Sequence, residues 1–247
     1  MLVDVLETHL RLATTLNLLS SGRITAPEAE ARLRGPVAHH VADPDGLLGL
    51  DPLTGSPVRL ALARAERLGP TVWVLLLPEP GRAAGLRGPA PVTTAAIDAG
   101  AVVVSHSPVL DGRALAWIGQ GVGPAVQWRL WAADRVVLPD DPREATRMLQ
   151  AELLASAEAL TQLDAATGTR PEHLAAPTLG PAYDERAQHL LDRAWLLLEA
   201  CEQGLADASE VLHSHAVLER ERHLRSLAGA ARFAVSSAVS WPTVALA

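Results

Sequence analysis

A glycine- and arginine-rich loop, together with a histidine that follows an apolar run, offers the residue types needed to hold an anion. These candidate ligand-binding residues are Arg82, Gly85, Arg87, Gly88, Thr93 and His106. Free backbone amides at the start of a helix favour a negatively charged group, and guanidinium groups add positive charge. The loop at 81–88, the helix that follows it and His106 therefore predict a pocket for a phosphate or a carboxylate.

This prediction requires two apolar segments, 71–77 and 101–105, to be neighbouring parallel strands. Their carboxyl ends would then lie at the same edge of a sheet, where open α/β sheets bind ligands. The connection between them is short for a parallel crossover, and the glycine spacing matches neither a Walker A loop nor a dinucleotide fingerprint. The structural alternative is that the glycines turn the chain and the arginines are solvated.

Ser105, His106 and Asp111 have the residue types of a nucleophilic triad. Adjacent residues on a strand point to opposite faces, so Ser105 and His106 cannot simply face each other. The G-x-S-x-G turn that exposes a catalytic serine is absent from the sequence. The sequence therefore contains no complete catalytic motif, and it assigns no catalytic residue.

Metal binding has one suggestive motif, the Glu-x-x-His spacing of Glu210 and His213. Di-iron bundles need this motif on two helices, with further glutamates on two others, and no second copy occurs. No metal site is predicted, and no cofactor is assigned. His9 is expected to be a hydrogen-bonded core or interface histidine, and Cys201 a buried, inert thiol.

The composition of the 247 residues limits the cellular setting and the partners. The hydrophobic fraction is 49% and the formal net charge is −7, so the chain can fold around a core but would repel nucleic acid. One cysteine permits no intrachain disulfide. Charged residues interrupt the apolar segment 2–20, and no stretch has the roughly 18 apolar residues that span a bilayer. A soluble cytoplasmic protein with no membrane contact is expected.

The predicted fold class is α+β. Helical periodicity and capping residues predict an N-terminal helical pair, and apolar runs predict a small central sheet of three to five strands. Residues 37–57, which include His39 and His40, are predicted to be a loop. Asp141 and Pro142 start a set of long C-terminal helices. The predicted division is an α/β region at 1–139 and a helical region at 140–247.

The segment from Leu77 to Ala96 resembles a stretch found in proteins of unknown function from GC-rich actinobacteria. All basic residues of the chain are arginine, which agrees with such an origin. The resemblance implies no substrate, cofactor or catalytic residue.

Two functional hypotheses follow. The first is a non-catalytic cytoplasmic protein that acts through protein binding or self-association, with a homo-oligomer or a protein partner and no nucleic acid. Its basis is the amphipathic helices and tryptophan-bearing elements in a chain without a reaction motif. The alternative is a protein, with or without catalytic activity, that binds a small anionic ligand through loop 81–88 and His106.

Overall fold

A computed structural model of the chain describes residues 2–34, 37–163, 175–206 and 214–243. This part of the chain forms an α+β fold with seven helices and six strands. In chain order they are α1 (Leu2–Ser20), α2 (Ala26–Leu33), β1 (Ala38–Ala42), β2 (Ser56–Pro57), α3 (Val58–Glu66), β3 (Trp73–Leu76), α4 (Ala90–Ala99), β4 (Val102–Ser105), β5 (Ala114–Val122), β6 (Ala125–Ala133), α5 (Pro142–Gln162), α6 (Glu185–Ala206) and α7 (Ser214–Ser240).

The predicted N-terminal helical pair is confirmed as α1 and α2. Gly22, which adopts a positive φ of 65°, lies in the turn after α1. A capping box then starts α2, because the Glu28 carboxylate accepts hydrogen bonds from the Thr25 backbone N–H and the Thr25 hydroxyl. Local sequence signals therefore fix both ends of this connection.

The six strands form one mixed sheet in the order β2-β1-β6-β5-β4-β3. The pair β1 and β6 is parallel, and the other pairs are antiparallel. The prediction of three to five strands was too low, because β1 and β2 lie in the segment 37–57 that was predicted to be a loop. In β1, Val41 is buried while His40 is exposed, so this short strand lacks the apolar run of the central strands.

The predicted parallel arrangement of the segments 71–77 and 101–105 is wrong. Strands β3 and β4 are antiparallel, with Trp73 opposite Ser105 and Leu76 opposite Val102. The chain therefore enters β4 at the end where it leaves β3, which agrees with a connection too short for a parallel crossover. His106 lies at the other end, where its backbone N–H donates to the Val72 carbonyl.

The two faces of the sheet have different coverings. Helix α1 contacts β3, β4 and β5, on the face where Trp73, Trp117 and Trp128 are fully buried. Helix α4 contacts β5 and β6 and packs Val92 and Ala96 into a core on the opposite face. The strands thus have apolar residues on both sides, as their continuous apolar runs predict.

The free edge of β3 is hydrogen-bonded by side chains. Asn17 accepts from the Trp73 N–H at 2.8 Å and donates to the Trp73 carbonyl at 3.0 Å. Its amide also donates to the Tyr183 hydroxyl at 2.9 Å, and the Ser240 hydroxyl accepts from the Leu75 N–H at 3.2 Å. Polar side chains from α1 and α7 therefore complete the hydrogen bonding that a further strand would supply.

Two compact units make up the chain. The first contains 1–139, 179–184 and 239–247, and the second contains 140–178 and 185–238. Helix α5 of the second unit begins as predicted, since the Asp141 side chain accepts from the backbone N–H groups of Arg143 and Glu144. Across the part of the chain described here, every helix is too short or too polar to cross a bilayer.

Candidate functional site

The loop of the predicted anion site is attached to the segment that follows β6. The Val137 N–H donates to the Gly85 carbonyl at 3.2 Å, and the Asp134 N–H donates to the Arg87 carbonyl at 3.0 Å. The side chains of Arg82 and Arg87 are exposed. The backbone of this loop therefore has a packing role, while its two guanidinium groups lie at the surface.

The glycines of the loop have a steric explanation. Gly85 has a φ of 87°, and a Cβ placed on it would lie 2.9 Å from the Val137 carbonyl oxygen. A Cβ on Gly88 would lie 3.4 Å from the Ala133 Cα. Gly85 needs glycine because the Val137 backbone approaches closely, and Gly88 needs glycine because its φ of 152° is one that other residues rarely adopt.

His106 is separated from a defined binding cavity. Its Nδ1 is buried and has no hydrogen-bond partner among the described residues, and burial, followed by the charge of Arg135, lowers its pKa. The six predicted ligand-binding residues line neither of the two pockets described below. The anion site thus remains a prediction that has lost the parallel-strand geometry on which it depended.

The Ser105 hydroxyl is already engaged in the fold. It accepts from the Leu115 N–H at 3.0 Å and donates to the Ser107 carbonyl at 3.0 Å, and Ser105 is fully buried. Its role is to hold β4 beside β5 and to shape the turn after β4.

One of the two pockets is a groove of about 770 Å³ beside α4, on the sheet face that α4 covers in part. Thr94 and Asp98 of α4 line one side, and Gln127, Arg129 and Trp131 of β6 line the other. The Arg129 guanidinium lies 4.0 Å from the centre of the Trp131 ring, a cation–π contact. Trp131 is half-buried beneath this arginine.

The other pocket, which we call the His9 pocket, lies between α1, the start of β1 and the turn that joins β5 to β6. It is an open cavity of about 580 Å³ with a mainly apolar lining. Val5, His9, Leu33, His39, Gly121 and Val126 are among its lining residues, which also include the polar or charged Glu7, Thr8, Arg11 and Gln120. Ligand sites are typically concave and mainly apolar, with a small number of polar groups, so this cavity is the stronger candidate for a functional site.

His9 is fully integrated into the wall of this pocket. Its Nδ1 lies 2.8 Å from the Val5 carbonyl, and its Nε2 accepts from the Gly119 N–H at 3.0 Å. This pair of contacts assigns the tautomer with hydrogen on Nδ1. Burial lowers the pKa of His9 to about 4, so the ring is neutral at neutral pH, and the prediction of a satisfied core histidine is confirmed.

His39 and Trp128 form a second polar contact in the same wall. The indole N–H of Trp128 donates to the His39 Nδ1 at 3.1 Å, and the two rings stack at a 13° interplanar angle with centroids 6.2 Å apart. Burial lowers the pKa of His39, the Leu33 carbonyl opposes this shift, and His40 adds to it. The His9 ring meets the Trp128 ring edge-on at 4.9 Å, so both imidazoles flank one indole.

The imidazole groups of the His9 pocket are held in structural hydrogen bonds. A nucleophilic mechanism needs a reactive group beside a general base that is free to accept its proton. Both nitrogens of His9 are engaged, and the Nδ1 of His39 is engaged by Trp128. Of the residues with a hydroxyl or thiol group, the described lining includes Thr8, which has an interaction of its own.

Sequence reasoning identified His9 but missed the pocket. The placement of His39 in a loop was wrong, since it lies in β1 and faces the same side of the sheet as Trp128. The available signal was the alternation of Gly119, Gly121 and Gly123 at the end of a strand. Glycine in a strand often marks a close approach of another group or an open cavity.

No cluster of three or more potential metal ligands occurs within residues 2–34, 37–163, 175–206 and 214–243. The Glu210 and His213 motif lies outside these ranges. Cys201 is buried as predicted, and burial, with a smaller contribution from Glu202, raises the pKa of its thiol to about 11. The thiol is therefore protonated at neutral pH and a poor nucleophile.

The helical unit exposes apolar side chains. Leu154 of α5 and Leu218 of α7 are 63% and 64% exposed, although other leucines of the unit, such as Leu149 and Leu198, are buried. Apolar side chains on a helix can contribute to a protein-binding surface when they form a contiguous patch, whereas single exposed leucines are normal on a protein surface.

Comparison with known protein families covers nearly the whole chain. The Rv1486c-like protein, N-terminal domain, matches residues 9–145, and the Rv1486c-like protein, C-terminal domain, matches residues 143–236. No curated protein and no solved structure gives a significant match. The His9 pocket lies mostly within the N-terminal match, and the long helices lie mostly within the C-terminal one. The chain belongs to the Rv1486c-like protein family.

Proposed function

We propose that this chain is a non-catalytic binding protein whose N-terminal unit holds a small molecule in the His9 pocket. The observation that carries the proposal is a mainly apolar cavity of about 580 Å³ walled by two buried or half-buried imidazoles. Its size lies within the range of small-molecule sites, which is roughly 300–1,000 Å³. The engaged ring nitrogens support binding without catalysis.

Hydrogen bonds connect the elements that form the wall of the pocket, which also supports a binding role. The His9 ring joins α1 to β5 through the Gly119 N–H, and the Trp128 indole joins β6 to β1 through His39. A cavity whose lining groups are hydrogen-bonded to one another keeps its shape without a ligand, so less ordering is required when one binds.

A thermal-shift screen with a library of metabolites tests this proposal. A compound that binds the folded protein raises its midpoint of thermal unfolding. We expect hits whose shift is lost in Gly121→Leu, which fills the cavity, because a Cβ at Gly121 meets no atom within 4 Å. The matched control is Val122→Leu, on the exposed opposite face of the same strand. Hits that shift the wild type and Gly121→Leu equally would place the binding site elsewhere.

A second candidate function is protein binding or self-association through the helical unit. The exposed Leu154 and Leu218 favour it, because burial of each side chain against a partner would remove apolar surface from water. We expect light scattering after size exclusion to show an oligomer that Leu154→Glu or Leu218→Glu dissociates. The control Leu53→Glu alters a loop leucine of the first unit that is 92% exposed. A wild-type monomer at all concentrations, with no partner retained in pull-down, would contradict this second function.

A further inference from the structure

We infer that the His9 pocket takes a small, flat, uncharged apolar molecule, and this inference rests on the proposed binding function of that pocket. Three features of the cavity support the assignment. They are the balance of its charges, the glycine surface on β5 and the hydrogen bonds that its imidazole and indole groups already make.

The charges around the pocket cancel. Of the described residues that line it, Glu7 and Arg11 carry formal charges, and the Arg11 guanidinium donates to the Glu7 carboxylate in an ion pair. His9 is neutral, with a pKa lowered by burial to about 4, and burial also lowers the pKa of His39. A charged ligand would lose its hydration here without gaining an unpaired opposite charge, so an uncharged ligand fits better.

The glycines of β5 give the cavity a surface without side chains. Gly119 and Gly121 lie two residues apart and so face the same side of the strand. The space that a side chain at Gly119 would occupy is filled by the Trp128 ring, which lies 2.7 Å from a Cβ built there. At Gly121 this space is empty, so the peptide backbone itself forms a flat wall against which a planar molecule can lie.

The imidazole and indole groups of the wall already have partners. His9 uses both ring nitrogens, and the indole N–H of Trp128 is bound by His39. Thr8, which also lines the cavity, has an interaction of its own. A ligand rich in hydrogen-bonding groups would leave those groups unsatisfied after losing water. An apolar ligand has no hydrogen-bonding groups that need partners, and its binding would be driven by burial of its apolar surface.

Two fluorescent probes of similar size and different charge test this inference. Nile red is flat and uncharged, and anilinonaphthalene sulfonate carries one negative charge. We expect the wild type to bind Nile red saturably with a blue-shifted emission. We expect Gly121→Leu to weaken this binding by about tenfold or more, which corresponds to at least about 1.4 kcal/mol. Val122→Leu should bind Nile red like the wild type, and the anionic probe should not compete.

A second pocket-filling variant keeps the test valid if Gly121→Leu does not fold. Val126 lies directly opposite Gly121 in the β5–β6 pairing, so Val126→Phe should narrow the cavity from the neighbouring strand and also weaken Nile red binding. The circular dichroism spectrum and the thermal midpoint of each variant verify that it is folded.

The outcomes separate the ligand class from the binding function. If the anionic probe binds saturably and loses its affinity in both pocket variants while Nile red does not bind, the assigned ligand class is wrong and the binding function stands. If Nile red binds wild type, Gly121→Leu and Val126→Phe with equal affinity, the pocket is not its site and the inference is overturned. If neither probe binds and the metabolite screen gives no pocket-dependent shift, the inference and the proposed function both fail.

Discussion

At the scale of single residues, His9 connects stability to pH. The ring is 1% exposed, and its neutral form accepts the Gly119 N–H at Nε2. Protonation of His9 at Nε2 would place an N–H group against the Gly119 N–H, and the hydrogen bond between them would be lost. The pKa is about 4 in the folded chain against an ordinary value of 6.5, so below pH 6.5 the unfolded chain binds a proton that the folded chain does not.

This difference predicts a loss of stability on acidification. The contribution of neutral His9 to the free energy of unfolding is fully present above pH 6.5. This free energy falls by about 3 kcal/mol in total as the pH decreases from 6.5 to about 4. Urea unfolding across this range measures it. His9→Gln, which retains an acceptor but does not titrate, should be less stable than wild type at neutral pH and should show a shallower decline. Parallel pH profiles for the two proteins would contradict this role of His9.

Gly119 is the second residue whose identity the pocket wall requires. A Cβ there would lie 2.7 Å from the Trp128 ring, and this ring is fully buried. We expect Gly119→Ala to destabilise the protein by about 1–3 kcal/mol through overpacking. Chemical denaturation measures the change.

Gly121→Ala is the matched control for this prediction. It makes the same substitution two residues along the same strand face, where a Cβ meets nothing within 4 Å. Its free energy of unfolding should stay close to that of wild type. Equal destabilisation by both variants would contradict the assignment of the effect to contact with Trp128.

At the scale of elements, the edge strand β3 depends on side chains from outside the sheet. An unpaired strand edge exposes hydrogen-bonding groups and invites association with other strands. Asn17 satisfies both backbone groups of Trp73, and the Tyr183 hydroxyl that it binds donates in turn to the Val239 carbonyl at 2.8 Å. Burial raises the pKa of Tyr183, so this hydroxyl retains its proton and remains a donor.

Asn17→Leu should therefore destabilise the fold by about 2 kcal/mol or more, since it leaves the buried N–H and C=O of Trp73 without partners. Urea unfolding gives the free energy, and light scattering reports aggregation of the variant. Thr14→Val is a suitable control, because the Thr14 hydroxyl donates to carbonyls within its own helix. A smaller effect at Asn17 than at Thr14 would contradict the edge-protecting role.

Elements with strong local signals were predictable from the sequence. The capping box at Thr25, the left-handed Gly100 after α4 and the Asp141 cap of α5 all lie where local chemistry places them. Strand β1 was missed because its pairing with β6 brings together segments about 87 residues apart. No short-range pattern encodes such a contact.

The candidate site was less predictable for the same reason. The His9 and Gly119 contact joins residues 110 positions apart, and the His39 and Trp128 contact joins residues 89 apart. The predicted anion site relied on the direction of β4 relative to β3, which depends on how the whole connection packs. The sequence identified the polar and titratable residues, whereas tertiary contacts determine which of these residues lie in the same cavity.

At the scale of the whole molecule, the first unit includes two late segments of the chain. Residues 179–184 and 239–247 belong with 1–139, and they contain Tyr183 and Ser240, which bind Asn17 and the backbone of β3. A boundary near residue 140 that follows the order of the sequence would therefore remove part of the first unit.

A fragment of residues 1–139 tests this composite unit. We expect it to be less soluble than the full chain and to unfold at a lower temperature, because the edge of β3 loses the Ser240 hydroxyl and the Tyr183 contact. Circular dichroism melting and light scattering make the comparison. A monomeric fragment with the same thermal midpoint as the full chain would show that these late segments are dispensable.

Amide chemical shifts measured during a Nile red titration locate the bound ligand residue by residue, and so test whether it occupies the His9 pocket. We predict saturable shifts at the backbone amides of Thr8, Gly121, Gly123 and Val126, which line the cavity, and unchanged amides at Arg82, Arg87 and His106. Shifts confined to the loop at 81–88, or absent from the glycines at the end of β5, would contradict the account.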